Sequence, residues 1–345
     1  MRKKPKACVV IPVLNRRTLI ARSLQSVASQ SWRPLEIIVV DNGSTDGTYE
    51  EALSLADTLS SEDVRISVIR HAETGAAKAR NAGYSHATGD VVLFFDSDDI
   101  MSSGTIEAYM DRFAANKKTD ILVGTSVIHT TDGKSTRRGR RRGNELLNHF
   151  HHCTLSTQVY AARRSFLARV EDAHGELWPE HLGVWDDWAF GFRLLMFRPQ
   201  VEYIDFVVAC IEQQQQSITG EAYCTTCAER YLAAIADIEC TALIHTGIAP
   251  VITAHEQRKW KNLTLYRRVL LAALLERESR TLPGEMIARS PYADSEELRR
   301  ESRRLLTDAL RETDSLRVRT ALNLAYRYIR LGLRGCATLV SPLLF

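Results

Sequence analysis

Two kinds of apolar spacing alternate along the first hundred residues. Apolar residues, many of them β-branched, concentrate in short runs at 7–13 (ACVVIPV), 35–41 (LEIIVVD), 64–70 (VRISVIR) and 90–96 (DVVLFFD). Between these runs they recur at helical spacing, as Ile20, Leu24 and Val27 do within 18–30, and Leu53, Leu55, Ala56 and Leu59 within 48–60. The segment 76–87 (AAKARNAGYSHA) continues the alternation. Runs apolar on both faces, separated by amphipathic helices, predict a mostly parallel sheet covered on both sides. Such sheets bind ligands beyond the carboxyl ends of their strands. The unusual residues lie at those ends: Pro12 to Asn15, Asp41 to Asp46, and Asp96 to Asp99.

From about residue 221 the pattern turns helical, with spacings of three and four in 229–245, 255–279 and 295–314. Two prolines and Gly284 mark 281–294 as a linker. The expectation is an α/β domain over 1–220 followed by an α-helical C-terminal region over 221–345.

The 345 residues include 45% hydrophobic and 25% charged positions, an ordinary balance for a globular protein. A formal net charge of only +3 argues against a nucleic-acid-binding molecule as a whole. Seven scattered cysteines do not make a secreted disulfide framework, and the lone CTTC at 224–227 has no second pair to complete a zinc site. The N-terminal apolar run is too short for a signal peptide, and no window has the ~18 uninterrupted apolar residues of a membrane span. The cytoplasm is the expected compartment. Neither G-x-G-x-x-G nor G-x-x-x-x-G-K-[ST] is present, so dinucleotide and P-loop readings lose their main support.

Two acidic clusters carry the candidate chemistry. FFDSDD (94–99) places Asp96, Asp98 and Asp99 where a buried strand stops. Like charges this close raise one another's pKa unless arginines, water or a divalent cation neutralise them; the plain alternative is a polar turn capping the helix that begins near Ser103. WDDW (185–188) precedes an apolar run, Phe190 to Phe197, with the length of one buried helix. Asp186 or Asp187 would cap that helix, and the helix dipole would also keep such a carboxylate ionised. Trp185 and Trp188 fit either sugar stacking or core packing.

VVIPVLNR, EIIVVDNGSTDGT, TGAAKARNAGYSHATGD and VLFFDSDD occur in an order and spacing that resemble family 2 glycosyltransferases. The resemblance continues through STQVYAARRSFL and GVWDDWAFGFRLL, over roughly residues 6–220. It implies the GT-A fold, a nucleotide-sugar donor, a divalent metal and inversion at the anomeric carbon. By this resemblance Asp96-Ser97-Asp98 is the D-x-D, with Asp98 as ligand of Mg²⁺ or Mn²⁺, Asp96 on the ribose or the metal, and Asp99 able to exchange roles with either. Pro12, Asn15, Asp41, Asn42 and Arg80 fall on the nucleotide-sugar side. Asp41-Asn42 stands where the family has an Asp-Asp pair, which leaves dTDP and GDP as alternatives to the favoured UDP. Asp187 matches the catalytic base and Asp186 a residue that orients acceptor hydroxyls. The histidine that many members carry after the next strand is replaced here by EQQQQSIT (212–219), and the Q-x-x-R-W of processive members is missing.

The expected function is therefore transfer of one sugar from a nucleotide-diphosphate sugar to a glycan or lipid-linked acceptor, in cell-surface polysaccharide synthesis. The alternatives are transfer onto protein, or a nucleotide-sugar-binding module without activity. Basic residues in DGKSTRRGRRRGN (132–144) read as a mobile solvated loop or as an attractor of anionic head groups or a diphosphate-linked acceptor. The tail, 316–345, mixes arginines with Leu, Tyr and Ile, and fits a helix lying against an anionic membrane at the inner face or a helix packed on its own domain.

Overall fold

In the computed structural model, the described residues are 4–130, 133–140, 145, 148–149, 153–183, 185–212, 233–238, 254–281, 295–313 and 316–330. CTTC, residues 213–219, the 282–294 linker and residues 331–345 lie outside them. The chain divides into two compact units, Met1–Gln215 and Gln216–Phe345.

The first unit opens with β1 (Ala7–Val13), α1 (Arg17–Ala28), β2 (Leu35–Asp41), α2 (Thr48–Leu59), β3 (Val64–Arg70), α3 (Ala76–His86) and β4 (Val91–Phe94). β5 (Ile100–Met101), α4 (Thr105–Ala115), β6 (Ile121–His129) and β7 (Ser135–Arg138) follow. A 3₁₀ turn (Thr157–Val159) leads into β8 (Tyr160–Arg163), α5 (Arg164–His174), α6 (Asp186–Met196) and β9 (Val201–Glu212). The sheet order is β3-β2-β1-β4-β8-β6-β9-β5, with β7 paired to β6. The β3-β2-β1-β4 half is parallel throughout. β8 runs antiparallel to both β4 and β6, and β9 returns parallel to β6. The fold is thus α/β of the GT-A type, with a mostly parallel sheet and helices following it.

β1 and β2 are buried at every position, as their unbroken apolar runs require. α3 lies very close to the sheet. A Cβ on Gly83 would stand 2.3 Å from Val10 and 3.0 Å from Val40, so only glycine admits the helix at that depth. That approach brings Arg80, one turn earlier, toward the carboxyl end of β4.

Two expectations need correction. The basic segment is not simply a loop, because Ser135–Arg138 is the strand β7, antiparallel to β6. Gly133, at φ +80, helps turn the chain between Thr130 and Lys134. The strand's backbone is satisfied by β6 while all four side chains stay exposed. The helix at WDDW takes neither aspartate as its N-cap. Trp185, at φ +65, holds that position, and both acids sit in the first turn.

In the second unit, α7 (Ala254–Thr281), α8 (Ser295–Arg311) and α9 (Leu316–Arg330) share a core of Leu265, Tyr266, Val269, Ala309, Val318, Ala321, Leu322 and Ala325. The described part of the arginine-rich tail is therefore a packed helix. The same spacing of three and four that would suit a membrane interface here suits α7 and α8. Among the described residues no helix is long and apolar enough to cross a membrane.

Candidate active site

The end of β4 and the first turn of α6 converge on one guanidinium. Arg80, buried on α3, donates from Nη1 to Asp186 Oδ2 (2.6 Å) and from Nη2 to Asp96 Oδ1 (2.9 Å). Its plane lies 4.6 Å over the Trp178 ring, which itself stacks on Phe190 at 3.8 Å. Burial disfavours the charge on Arg80, but Asp186 and Asp96 outweigh burial and hold it protonated.

Asp96 is fully engaged. Its second oxygen, Oδ2, accepts from Thr157 Oγ1 (2.9 Å) and Gln158 Nε2 (2.5 Å). Its neighbours are not so well served. Asp98 faces Arg16 at 3.7 Å, and burial together with the charge of Asp96 raises its pKa. Asp99 is buried, and burial with the charges of Asp96 and Asp98 pushes it up to about 8. The strand end therefore gathers more carboxyl groups than its arginines can hold ionised, and Asp99 keeps a proton near neutral pH.

At the start of α6 the division of labour repeats. Asp186 takes the ion pair with Arg80. Asp187 is half-buried; one oxygen accepts from the Trp188 backbone N–H (2.8 Å) and the other meets the Cys153 thiol at 3.5 Å. Burial and the charge of Asp186 push its pKa up to about 6, against the pull of Arg80. Such a group is ionised at neutral pH and basic enough to accept a proton. Trp188 is buried as core, with Trp185 edge-on to it at 6.0 Å.

The nucleotide-side residues surround the ends of β1 and β2. Pro12 is buried in β1 opposite Val40. Asn15, at φ +51, accepts from the Thr45 N–H (2.9 Å) and so holds the β2–α2 loop. Asp41 is fully buried; Oδ2 pairs with Arg70 at 3.3 Å, and Oδ1 has no hydrogen-bond partner. The Asn42 amide bridges the segment before α3, donating to the Glu73 carbonyl and accepting from the Gly75 N–H, each at 2.6 Å.

Sequence reasoning missed Thr157, Gln158, Cys153 and His149. Thr157 and Gln158 lie inside STQVYAARRSFL, a stretch that marked the resemblance without pointing to a role for them, and Cys153 and His149 stand just before it. Among the described residues no group of three or more His, Cys, Asp or Glu side chains is arranged around a metal position.

The glycosyl transferase family 2 profile matches residues 8–174. Those residues form a glycosyltransferase family 2 domain. Among curated relatives, GlyG of Streptococcus pneumoniae is 34% identical over 118 residues, 34% of this chain and 37% of GlyG. The GalNAc(5)-diNAcBac-PP-undecaprenol beta-1,3-glucosyltransferase of Campylobacter jejuni is 33% identical over 110 residues, 31% of this chain and 34% of the relative. The matches thus span about a third of each of these relatives. Similar solved structures share the fold at lower identity. S. aureus TarS 1-349 in complex with UDP-GlcNAc gives a TM-score of 0.56 at 19% identity, over 88% of this chain and 92% of that one. The mannosyltransferase PcManGT from Pyrobaculum calidifontis, in complex with GDP-Man and Mn²⁺, gives 0.52 at 18%, over 96% and 87%.

Proposed function

We propose that this glycosyltransferase moves one sugar from a nucleotide-diphosphate sugar to a hydroxyl of a glycan or lipid-linked acceptor, with inversion. The observation that carries the reading is the Arg80 bridge. It joins a carboxylate-rich strand end suited to a donor diphosphate and its cation to a first-turn aspartate pair suited to an acceptor hydroxyl. Asp187 accepts the hydroxyl proton as that oxygen forms its bond to the anomeric carbon. The bond from that carbon to the diphosphate breaks, and its electron pair leaves with the diphosphate. Asp186, anchored by Arg80, stands beside the base to hold acceptor hydroxyls.

The residues fit a divalent cation that prefers oxygen. Asp98 and Asp99 are desolvated carboxyl groups whose pKa values rise despite Arg16 at 3.7 Å from Asp98 and the charge of Arg22 nearby. Mg²⁺ and Mn²⁺ sites on nucleotide substrates commonly use one or two protein carboxylates and complete their shell with phosphate and water. Asp98 would be the ligand, with Asp99 beside it; Asp96 is already engaged by Arg80, Thr157 and Gln158. When bound, the cation would stabilise negative charge on the diphosphate. The orphaned Asp41 Oδ1, a buried acceptor, suits an N–H of the base or a ribose hydroxyl.

UDP-sugars are the favoured donors, with dTDP- and GDP-sugars as alternatives, and the reaction belongs at the cytoplasmic side. The test is nucleotide release from a panel of UDP-, dTDP- and GDP-sugars offered with Mn²⁺ and candidate acceptors. One donor should give acceptor-dependent release. Absence of release across the panel, with nucleotide binding intact, would point instead to a binding module.

A further inference from the structure

His149 is fully buried and takes no part in the chemistry above, yet it touches both sides of the base. Its Nε2–H donates to the Trp188 carbonyl at 2.8 Å, one residue beyond Asp187. Its Nδ1 accepts the Leu155 N–H at 3.2 Å and has the Thr154 hydroxyl at 3.5 Å. Its own carbonyl accepts the Cys153 N–H at 2.8 Å. Every polar atom of the imidazole is thus used, and the two bonds require the tautomer with hydrogen on Nε2.

A second feature fits the ring independently. Residue 191 on α6 is glycine, and a Cβ there would stand 2.2 Å from two atoms of the imidazole. The helix is therefore open at the place where the ring enters, and Phe192 closes it edge-on at 5.0 Å. Cys153, held at φ +46 by this arrangement, directs its sulfur to Asp187. Four and five residues further on, Thr157 and Gln158 hold Asp96.

We infer that His149 is a positioning residue: it staples the 153–158 segment to α6, and that one segment sets where Asp187 and Asp96 stand. The inference rests on the reading of Asp187 as base. Burial depresses the imidazole pKa to about 4, so the staple stays neutral and intact across the working range. No carboxylate is hydrogen-bonded to the ring among the described residues. The Trp188 carbonyl, the Leu155 N–H and the Thr154 hydroxyl are the polar groups that face it.

The test compares His149→Phe, which keeps a ring but neither bond, with His149→Gln, which retains a donor for the Trp188 carbonyl. Two readouts are independent of turnover. In ¹⁵N-labelled wild-type protein, the His149 ring should show the neutral, Nε2-protonated pattern from pH 5 to 8. Iodoacetamide labelling of Cys153, followed by peptide mass spectrometry in the folded protein, should speed up at least ~10-fold in His149→Phe and by much less in His149→Gln. With the donor identified by the panel, kcat should fall ~10- to 100-fold in His149→Phe, the range seen when groups that orient a reacting residue are removed. Donor KM should change less, and His149→Gln should recover much of the loss. A His149 ring that titrates near its ordinary value, or wild-type labelling and turnover in His149→Phe, would overturn the inference while leaving the base assignment intact. Undiminished transfer by Asp187→Asn would overturn the base assignment and with it this role for His149.

Discussion

The end of β4 and the first turn of α6 pose the same electrostatic problem and solve it unequally. Each packs adjacent carboxylates into a poorly solvated place, and Arg80 gives one guanidinium nitrogen to each. At the helix, one bond suffices for one member of the pair. Asp186 is neutralised, and Asp187 remains with an affinity for protons raised by burial and by its neighbour. At the strand end, the same single bond leaves Asp98 and Asp99 to Arg16, 3.7 Å from Asp98, and to the field of Arg22, whose guanidinium is bonded to Glu212 and the Asp98 carbonyl. The first arrangement suits a proton acceptor and the second suits a cation. A shared arginine thus yields two kinds of site from two sets of aspartates, because the sets differ by one carboxylate.

Asp187→Asn strikes the helix side hardest. The amide keeps the size of the side chain and its oxygen for the Trp188 N–H, and loses only proton affinity. Transfer should fall ~10²–10⁴-fold with nucleotide binding within a few fold. Because the ionised form is the active one, wild-type transfer should fall as pH drops below about 6 and level off above it. Steady-state rates over pH 5 to 8 check both points; an acid limb unchanged in the variant would remove Asp187 from the mechanism. Asp186→Asn should act more on acceptor KM.

On the strand side, Asp98→Asn removes the proposed cation ligand, which faces Arg16 at 3.7 Å. The Mn²⁺-dependent part of nucleotide binding should disappear, while metal-free binding persists. Titration of UDP and GDP by calorimetry, with Mn²⁺ and with EDTA, measures this. Equal binding by the wild type under both conditions would mean that these carboxyl groups serve no cation.

How far these sites could be read from sequence follows from where their parts lie. The aspartates were legible because they sit where continuous apolar runs end, and β1 to β4 follow those runs closely. The compensating groups were not legible. Thr157 and Gln158 reach Asp96 from about sixty residues away, and His149 reaches Trp188 over 39 residues that include β8 and α5. The tail's arginine–leucine spacing suited two environments equally, and it is the packing of Val318, Ala321, Leu322 and Ala325 that gives the described part, 316–330, its place in a core. β7 was hidden because its pairing is made by backbone while its arginines stay in water.

The helix side also depends on close packing. Gly191→Ala would place a methyl group 2.2 Å from the His149 ring, which is enclosed and has no room to swing aside. Overpacking of this kind costs ~1–3 kcal/mol, offset in part by the better helix propensity of alanine. The urea midpoint should fall and Cys153 should become easier to alkylate. An unchanged midpoint with unchanged labelling would show that the ring does not lie against residue 191.

The smallest effect should come from Asn42→Asp, which restores the pair of aspartates that the family commonly carries at the end of β2. In this chain the Asn42 amide braces the approach to α3 by donating to the Glu73 carbonyl and accepting from the Gly75 N–H. An aspartate keeps the acceptor and loses the donor, so a carboxylate oxygen would face the Glu73 carbonyl in a buried position. A lost buried hydrogen bond of this kind costs ~1–3 kcal/mol, and local relaxation toward solvent should keep the effect near the lower end. If the role is bracing, stability should fall by that amount and UDP and GDP should weaken together by a few fold, because α3 carries Arg80 for either donor. If Asn42 instead reads the base, the two nucleotides should part company, one gaining as the other loses. Parallel titrations of the variant with UDP and GDP, beside its urea midpoint, separate the two outcomes. A shift in the UDP-to-GDP ratio at unchanged stability would move Asn42 from the frame of the site to its recognition surface.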